Sequence, residues 1–516
     1  MLSDFDPMII NDLKIKMEAI MKLKLARFTA FLLCVVMLAL PLASCGGGDE
    51  TTKPKETVDG QTTQAWVADN LGDLNYGGEE TVRILSRGDD WFFDELSLEP
   101  DEVMNIIDES VNERELYVEE RLGIDIKVQK EMCGTDYDKL ADLTRTYFES
   151  NTDVFDILAG HCYHVMQLTT QGILWDLNEV DNMELDQPWY AQNFVDLSTI
   201  NDQIFFVTGD AALTLMRFAF VTFVNMEMAD TYGVENIYKV VDDKQWTLDY
   251  LSSTVSNIYD DLNANGTSDE GDLFGFATSD VTGIDMFWSS FDLDILGKDE
   301  TGALVNVIDS DKCASATSAL VDLYFTNNGV HVPAHGSGDT EYETMMTAFA
   351  GDQYLFTNLR LISVEGEQFI NMESKYGIIP TPLWNADQEN YQIYVHDQYT
   401  VFGITGTVSE DKLPVMGAFL EVFSNYSYNE TREVYFETAL KGRYARDEAS
   451  RRMLDLIVDS IYIDAGWIYS YCLEDFALIL RNLVRAKNTN WASDYCAKGN
   501  MMNIKLKDLN EDYGGN

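Results

Sequence analysis

The stretch FDILAGHCYHVMQLTTQGILWDLNEV, residues 155–180, is the most informative segment for the fold. The compact apolar run VFDILAG at 154–160 has the length and composition of a buried strand that ends at a glycine. The polar loop HCYH at 161–164 follows directly, and a helical segment comes next. A strand that leads through a short polar loop into a helix is typical of α/β proteins.

The segments before this stretch show the same alternation. TVRILS (81–86) and GIDIKV (123–128) have the period of strands, whereas residues 106–122 and 136–148 have apolar residues at helical spacing. Strands that alternate with helices of this length predict strand–helix–strand crossovers and a mainly parallel sheet. Ligands of such sheets bind beyond the carboxyl ends of the strands, which here points to residues 87–93 and 161–164.

The first of these loops, RGDDWFF, offers Asp90 and Trp91 as ligand-binding candidates. An exposed tryptophan presents a flat apolar face to a sugar ring, and neighbouring carboxylates accept hydrogen bonds from hydroxyl groups. The alternative is a tryptophan that covers its own core.

In the second loop, His161 and Tyr163 are solute-binding candidates, and the alternative is a structural histidine. A metal site formed by His161, Cys162 and His164 is disfavoured, because the sequence offers no second cluster of ligands.

A second α/β body is predicted after residue 210. A helix is expected at 246–259 with Thr247 as its N-cap, strands at 375–382 and 399–405, and a helix at 409–423 with Ser409 as its cap. The last third of the chain is expected to be mostly helical.

Composition limits the classes of partner. The 516-residue chain has a formal net charge of -53 and is 46% hydrophobic, which predicts two or three domains with a substantial core. The acidic field disfavours nucleic acid and anionic membrane surfaces as electrostatic partners. Five widely spaced cysteines remain after Cys34 and Cys45, and they predict neither a zinc site nor a disulfide scaffold, although one or two bridges stay open.

The first 44 residues are predicted to be a secretory signal peptide, of which residues 1–20 precede a more natural start at Met21. Basic residues at 22–27, an apolar run at 28–43 and small residues before Cys45 support this interpretation. The end of the segment, LASC, resembles the lipobox of bacterial lipoproteins, which implies that Cys45 is lipidated. A short membrane anchor or ordinary secretion is the alternative. Residues 45–79 are then expected to form a flexible tether.

The segment DLNANGTSDEGD, residues 261–272, matches a calcium-binding loop of the EF-hand type. Such a loop uses oxygen ligands at positions 1, 3, 5, 7, 9 and 12 and a glycine at position 6, which is Gly266 in this chain. We expect a structural calcium ion of modest affinity, with an Asx-rich turn that binds nothing as the alternative. The predicted ligands are Asp261, Asn263, Asn265, the carbonyl of Thr267, Asp269 and Asp272.

Several segments together resemble the extracellular solute-binding proteins of bacterial ABC importers, of the family 1 sugar-binding lipoprotein type. Residues 155–180 resemble that family's strand, ligand loop and "Gly-x-Leu-x-Asp-Leu-Asn" run, and residues 223–251 and 375–391 resemble its entry to the second lobe and its "Gly-Ile-x-Pro-x-Pro" return. The resemblance covers roughly residues 80–480, and the lipobox fits it. Where the family usually has basic residues on surface helices, this chain has many acids, which leaves the polarity of the solute open.

The resemblance implies an α/β, two-lobed, periplasmic-binding-protein-like (type II) fold with mainly parallel sheets, a hinge cleft and a helical C-terminal third. It implies a monomeric, non-enzymatic binding protein, anchored on the outer face of the cytoplasmic membrane. This protein would close around a small solute, with carbohydrate favoured, and deliver it to a permease. Lobe one would comprise residues 80–212 and 380–425, and lobe two residues 213–379 and 426–516.

Four further residues are solute-binding candidates by their placement in this implied fold. Trp288, Phe356 and Trp467 are aromatic residues expected to face the cleft from lobe two, and Asp397 lies near a chain crossing. The alternative for each aromatic residue is a place in the core.

Two other classes of function compete with this interpretation. A secreted carbohydrate-active enzyme is disfavoured, because the chain contains no G-x-S-x-G, H-E-x-x-H or Walker motif. A calcium-stabilised adhesion or scaffold protein is disfavoured by the absence of sequence repeats.

Overall fold

The structure, a computed structural model, describes residues 66–89, 95–99, 102–134, 136–334, 340–441 and 447–514. The predicted signal peptide, Cys45, Asp90 and Trp91 lie outside these residues. The strands of the described part are β1 Glu80–Arg87, β2 Ile124–Glu131, β3 Ile157–His161, β4 Phe220–Asn225, β5 Tyr259–Asp260, β6 Leu273–Ala277, β7 Leu296–Lys298, β8 Leu304–Asn306, β9 Val330–His331, β10 Tyr354–Arg360, β11 Tyr376–Ile379, β12 Ile393–Tyr394, β13 Thr400–Ile404 and β14 Ile461–Tyr462.

Helices connect and cover these strands. The α-helices of the described part are α1 Ile106–Leu122, α2 Lys139–Glu149, α3 Cys162–Val165, α4 Gln192–Ser198, α5 Leu213–Arg217, α6 Met226–Tyr232, α7 Ile237–Asp242, α8 Leu248–Val255, α9 Thr282–Asp285, α10 Phe287–Ser290, α11 Ser310–Phe325, α12 Thr340–Ala350, α13 Glu367–Ile370, α14 Leu413–Tyr426, α15 Glu448–Asp459, α16 Ala465–Ile468, α17 Ile479–Arg485 and α18 Trp491–Asp512. Short 3₁₀ turns lie at Met166–Thr170, Leu177–Glu179, Leu361–Glu365, Glu410–Lys412 and Phe476–Leu478, and π-helical turns lie at Ser427–Thr431 and Val434–Lys441.

The first sheet has the strand order β13–β3–β1–β2. β1 runs parallel to both β2 and β3, whereas β13 runs antiparallel to β3 and places Thr400 opposite His161. The strands predicted at 81–86 and 123–128 and the helices predicted at 106–122 and 136–148 are confirmed. The strand predicted at 154–160 begins later, at Ile157, and extends through His161. The segment before it is held by Asp156, whose carboxylate accepts hydrogen bonds from the backbone amide of Arg83 at 2.9 Å and its Nε at 3.0 Å.

The second sheet has the order β11–β4–β10–β6–β5, and β9 also pairs with β6. It is mixed: β4 is antiparallel to β10 and β11, whereas β6 is parallel to β10 and β9. Two small ribbons, β7–β8 and β12–β14, complete the pairing among the described strands. The two-sheet α/β architecture predicted from the sequence is therefore observed, while the residue boundaries of the lobes stay predictions.

The two predicted helix caps have different outcomes. The hydroxyl of Thr247 accepts a hydrogen bond from the amide of Tyr250 at 3.2 Å, as expected for the N-cap of α8. The prediction for Ser409 is wrong, because its side chain makes no capping bond and a 3₁₀ turn separates it from α14. Pro414 lies in the first turn of α14, where its missing N–H costs nothing, and this favours a helix that begins at Leu413.

Two apolar clusters form the core. One cluster belongs to the first sheet. It includes Ile84 and Ile157 on one face of β1–β3, and on this face the sheet packs against α1 and α14. The other includes the opposite face of the first sheet, with Leu85 and Leu158, and continues without a break into the second sheet. Buried apolar side chains therefore form one continuous cluster that reaches both sheets.

The chain passes between the two sheets three times. It leaves the first sheet after Val207, which pairs with Phe402, and it joins the second sheet at β4. It returns between β11 and β13. It leaves again after α14, through the π-helical turns that precede α15, and α15 packs on β11.

The buried side chain of Arg114 and the buried carboxylate of Glu95 link these three crossings. Arg114 donates from Nη1 to the carbonyl of Ala211 at 3.2 Å and to Ser427 Oγ at 3.0 Å, and from Nη2 to the carbonyl of Glu95. The carboxylate of Glu95 accepts hydrogen bonds from the amide of Thr214 at 2.7 Å and from the hydroxyls of Thr214 and Thr400 at 2.8 and 2.5 Å. Each crossing is therefore bonded to one of these two side chains.

Substitution of Arg114 tests this linkage. We expect Arg114→Met to lower the free energy of unfolding by about 3–5 kcal/mol, because it leaves buried carbonyl groups without donors. Arg452→Met is the control, since Arg452 is half-exposed in its ion pair with Asp242, and its cost should be much smaller than that of Arg114→Met. Urea titration of both variants gives the comparison. Equal costs would show that Arg114 does not hold the crossings together.

Candidate functional site

The predicted ligand loop lies where β3 ends and packs against the segment before β13. The amide of Cys162 donates to the carbonyl of Tyr399 at 3.0 Å, and the amide of Tyr163 donates to the carbonyl of Asp397 at 3.1 Å. Because β13 is antiparallel to β3, residues 397–399 arrive at the same edge of the sheet as the loop. The structure thus brings together three of the predicted site residues, His161, Tyr163 and Asp397.

Tyr163 connects this edge of the first sheet to the helical C-terminal part. Its hydroxyl donates to Asp475 Oδ1 at 2.5 Å, and its ring lies edge-on to Tyr471 at 5.8 Å between centroids. Asp475 lies just before α17, which packs against α9 and α11 on the side of the second sheet. Tyr163 and Asp475 therefore form a direct polar contact between the parts of the chain that carry the two sheets.

The backbone at this contact is strained. Glu474 and Asp475 both have φ of 56°, in the left-handed region that residues with a Cβ occupy at a cost. Two consecutive residues of this kind place the Asp475 carboxylate toward Tyr163. Such outliers persist where the surrounding structure holds them, and they are common at binding sites.

Asp397 is the carboxyl group with the most unusual environment in this cluster. Its side chain is only 19% exposed, and burial raises its pKa to about 7, against the opposing effect of Arg481 and with support from Asp285 and Asp475. Asp285, which is fully buried, forms an ion pair with Arg481 through two bonds, one of them from Nε to Oδ1 at 2.9 Å. The guanidinium of Arg481 is therefore bonded to Asp285 and also acts electrostatically on Asp397.

The histidines of the site are neutral. Burial, Arg87 and His164 hold the pKa of His161 well below its usual value, and burial and Arg360 do the same for His396. Nε2 of His396 lies 3.6 Å from Asp397 Oδ1. Neutral imidazole rings leave the positive charge of this region to the arginines.

Arginines and aromatic rings extend the cluster toward the second sheet. The guanidinium of Arg360, at the end of β10, lies over the rings of Phe218 at 5.2 Å and Tyr342 at 4.8 Å. Trp467 is 4% exposed and packs on Tyr394 at 5.1 Å, and its Nε1 has no hydrogen-bond partner among the described residues. Polar hydrogen-bonding groups and flat apolar faces therefore lie side by side in the cluster.

Two predicted solute-binding aromatics belong to the core instead. Trp288 is 1% exposed, donates from Nε1 to the carbonyl of Ala477 at 2.9 Å and packs on Trp491. Phe356 is fully buried in the middle of β10 and packs on Trp246 at 5.3 Å between centroids. Both side chains are enclosed by their own body, so the structure does not place them in a cleft.

The loop that carries Asp90 and Trp91 is fixed at both of its described ends. Before it, Asp89 forms a buried ion pair with Arg87 at 2.7 Å, and its carboxylate accepts hydrogen bonds from the amides of Cys133 and Gly134. After it, Glu95 is bonded to the chain crossings. The assignment of Asp90 and Trp91 to solute binding stays a prediction.

The other predictions for this region concern metals and cysteines. In the described part of the chain, no three histidine, cysteine, aspartate or glutamate side chains converge in a manner that would hold a metal ion. His164 instead packs flat on Tyr137 at 5.3 Å and contacts Asp138. All five cysteines of the described residues carry free thiols. No helix in the described residues is long and apolar enough to cross a membrane.

A cavity of about 200 Å³ lies away from the predicted residues. Apolar side chains line it on both sides of the first crossing, and Asp210 and Arg432 contribute an ion pair at 3.5 Å. None of the six solute-binding candidates that lie in the described residues lines this cavity. The candidate site is the polar and aromatic cluster around Tyr163, Asp397 and Asp475. This cluster connects the end of β3 to the C-terminal helices that pack beside the second sheet.

Sequence reasoning missed most partners of this cluster. Arg481, Asp285, Asp475 and Tyr471 were not singled out, although each contacts or faces a predicted residue. Only the aspartate-rich and tyrosine-rich composition around 463–475 was a local indication.

Comparisons with known proteins agree with this architecture. No family model matches the chain, and no curated protein sequence matches it. Among solved structures, the GacH receptor of Streptomyces glaucescens, solved unliganded and with acarbose, has a TM-score of 0.52 and 13% identity over 83% of this chain and 99% of that one. An ABC substrate-binding protein from Listeria monocytogenes in complex with cycloalternan has a TM-score of 0.50 and 13% identity over 85% and 100%. A solute-binding protein from Thermotoga lettingae bound with α-D-tagatose has a TM-score of 0.51 and 14% identity over 83% and 100%. The chain has the fold of these ABC-transporter solute-binding proteins.

The pKa of Asp397 predicts a pH dependence of stability. Between the ordinary aspartate value, near 3.8, and about 7, the folded chain holds a proton that the unfolded chain releases. The contribution of this group is therefore most favourable at low pH and is lost as the pH rises through this window. We expect Asp397→Asn to reduce the loss of unfolding free energy between pH 5 and pH 8 by on the order of 1–3 kcal/mol.

Asp186→Asn is the control, because Asp186 is exposed. Urea titrations at several pH values measure the difference between each variant and the wild type. A parallel pH profile for Asp397→Asn and wild type would contradict the assignment.

Proposed function

We propose that this chain is the substrate-binding subunit of an ABC importer, which captures a carbohydrate between its two sheets. The observation that carries the proposal is the Tyr163–Asp475 contact, which joins the end of β3 to the C-terminal part in the fold of solute-binding proteins. Ligands of such proteins are held by groups from both lobes. A solute in this position would contact both sides of the molecule at once.

The chemistry of the cluster suits a neutral polyhydroxylated ligand. Carboxyl groups such as Asp397 and Asp475 accept hydrogen bonds from hydroxyl groups, and a carboxyl with a pKa near 7 also donates when it is protonated. Arg481 supplies donors, and the half-exposed ring of Tyr471 supplies an apolar face. The solved neighbours were crystallised with acarbose, cycloalternan and tagatose, and these ligands support carbohydrate as the solute class for this chain.

Capture is proposed to proceed by hinge closure. The crossings held by Arg114 and Glu95 would serve as the hinge, and the Tyr163–Asp475 contact would be lost if the two sides separated. Solute that contacts both sides favours the closed state by its differential affinity. The permease then recognises the closed form and receives the solute, which is not altered chemically.

The lipid anchor at Cys45 is part of the same proposal. Two acyl chains suffice for stable membrane attachment, whereas one chain gives only reversible binding. We expect Cys45→Ser to move the protein from the membrane fraction to the soluble extracellular fraction, and Cys496→Ser, at an exposed thiol, to leave it in the membrane fraction. Fractionation and immunoblotting measure the distribution. Membrane retention of Cys45→Ser would contradict lipidation at this residue.

The solute class is tested by thermal unfolding of the full chain in the presence of mono- and oligosaccharides, polyols, amino acids and short peptides. A sugar that binds the folded state raises the melting temperature. A shift with peptides alone would overturn carbohydrate as the class, and hydrolysis of a bound sugar would overturn a pure binding function.

The site itself is tested with two tyrosines of similar exposure. Tyr471, 39% exposed, lies in the cluster, and Tyr232, 43% exposed, lies on α6 on the second-sheet side. For the sugar found in the screen, we expect Tyr471→Ala to raise Kd by about tenfold or more, which corresponds to about 1.4 kcal/mol, and Tyr232→Ala to leave it unchanged. Calorimetric titration measures both. Equal Kd values for the two variants would place the site elsewhere.

A further inference from the structure

The loop of residues 261–272 lies at the edge of the second sheet, away from the candidate solute site. It joins β5 to β6, which pair antiparallel with Tyr259 opposite Phe274. β5 has only two residues and is the last strand on this side of the sheet. The loop therefore closes a short hairpin. Because β5 has only two residues, its pairing with β6 contributes little stability to this hairpin.

Side chains of the loop wrap around its own backbone. Asp261 Oδ2 accepts a hydrogen bond from the amide of Gly266 at 2.8 Å, and Asn265 Oδ1 accepts one from the amide of Thr267 at 2.7 Å. Gly266 has a φ of +75°, which a side chain would disfavour, so the tight turn depends on glycine. The side-chain amides of Asn263 and Asn265 also reach the carboxylate of Asp269, at 2.9 and 2.6 Å. Polar groups from alternate positions of the loop thus converge on Asp269.

Asp272 provides an independent indication of a missing ligand. Its side chain is fully buried, and its Oδ2 accepts hydrogen bonds from the amide of Asp269 at 3.2 Å and the hydroxyl of Tyr259 at 3.1 Å. Since the amide of Asp269 bonds to this carboxylate, the carboxylate folds back over the loop. Its second oxygen, Oδ1, is buried and has no hydrogen-bond partner among the described residues. A buried carboxylate oxygen without a partner is costly, and a bound cation would satisfy it.

We propose that this loop binds a calcium ion. The available donors are carboxylate, amide and carbonyl oxygens without thiols or imidazoles, which is the ligand set that calcium prefers. Because three acidic side chains do not by themselves converge in the described residues, the site depends on the amides as well. The side chains of Asn263 and Asn265 already lie within hydrogen-bond distance of Asp269, so an ion bound at Asp269 would have both within reach. The ligands are Asp261, Asn263, Asn265, the carbonyl of Thr267, Asp269 and Asp272.

The ion would fix the β5–β6 hairpin rather than bind solute. Calcium that binds the folded loop alone stabilises the fold in proportion to its occupancy. The short side chain of Asp272 at the last position reaches less far than a glutamate, so the dissociation constant is expected to be about 10⁻⁴–10⁻³ M. This inference does not depend on the proposed function.

The test uses calcium chloride, with magnesium chloride as the comparison, on the full chain treated with EGTA. We expect 10 mM calcium to raise the melting temperature by roughly 1–4 °C and to give a saturable calorimetric signal, and magnesium to give a smaller shift. Asp272→Asn and Asp261→Asn should both lose the calcium response. Asp299→Asn, in an exposed turn that lacks the ligand spacing, should retain it.

Each outcome bears on the proposal. A wild-type protein whose melting temperature is the same in calcium and in EGTA would overturn it, and so would a calcium shift that survives in Asp261→Asn and Asp272→Asn. If Asp272→Asn fails to fold because the residue is buried, Asp261, which is only partly buried, still decides the question. An equal shift of the melting temperature in magnesium would contradict a calcium site and would indicate a divalent-cation site without selectivity for calcium.

Discussion

The buried guanidinium of Arg114 is the constraint on which the arrangement of the two sheets depends. A charge without exposed surface is costly, and the structure compensates with hydrogen bonds to Ala211, Ser427 and Glu95 and with the ring of Phe423, 3.8 Å from the guanidinium carbon. These acceptors come from different chain crossings, so the cost is offset only when the crossings meet at one point. The first and third crossings are therefore held next to each other at this guanidinium.

The candidate site also reflects how a very acidic chain tolerates its own charge. The net charge is -53, yet burial raises the pKa of Asp397, Asp464 and Glu421 to about 7, so these groups carry protons near neutrality. Burial also raises the pKa of Asp285, and there Arg481 lies against the carboxyl and opposes the rise. The interior thus combines neutral acids with a few well-placed guanidinium groups. This combination presents both donors and acceptors to a polar ligand without a strong field of either sign.

The sequence predicted local features well and long-range contacts poorly, for physical reasons. Strands such as β1 and β2 and the cap at Thr247 depend on alternation and neighbours a few residues away, and all were found where expected. The calcium-type loop is also local, since its proposed ligands lie within twelve residues. By contrast, Arg481 and Asp285 are 196 residues apart, and neither segment contains a sequence pattern that predicts this contact. Trp288 and Phe356 were assigned to the cleft because a large aromatic residue has the same sequence signature in a core and in a binding site. Ser409 failed as a cap because Pro414 decides where the helix begins.

The antiparallel pairing of β13 with β3 has a consequence for how the protein is made. Residue 400 pairs with residue 161, so β3 has no partner on that side until most of the chain has been synthesised. The amino-terminal part of a chain emerges first, and contacts this distant in sequence form slowly. A nascent chain that ends before β13 would expose β3 as an open strand edge, which is a template for pairing with other chains. Premature termination before residue 400 is therefore expected to yield aggregates rather than a smaller folded protein.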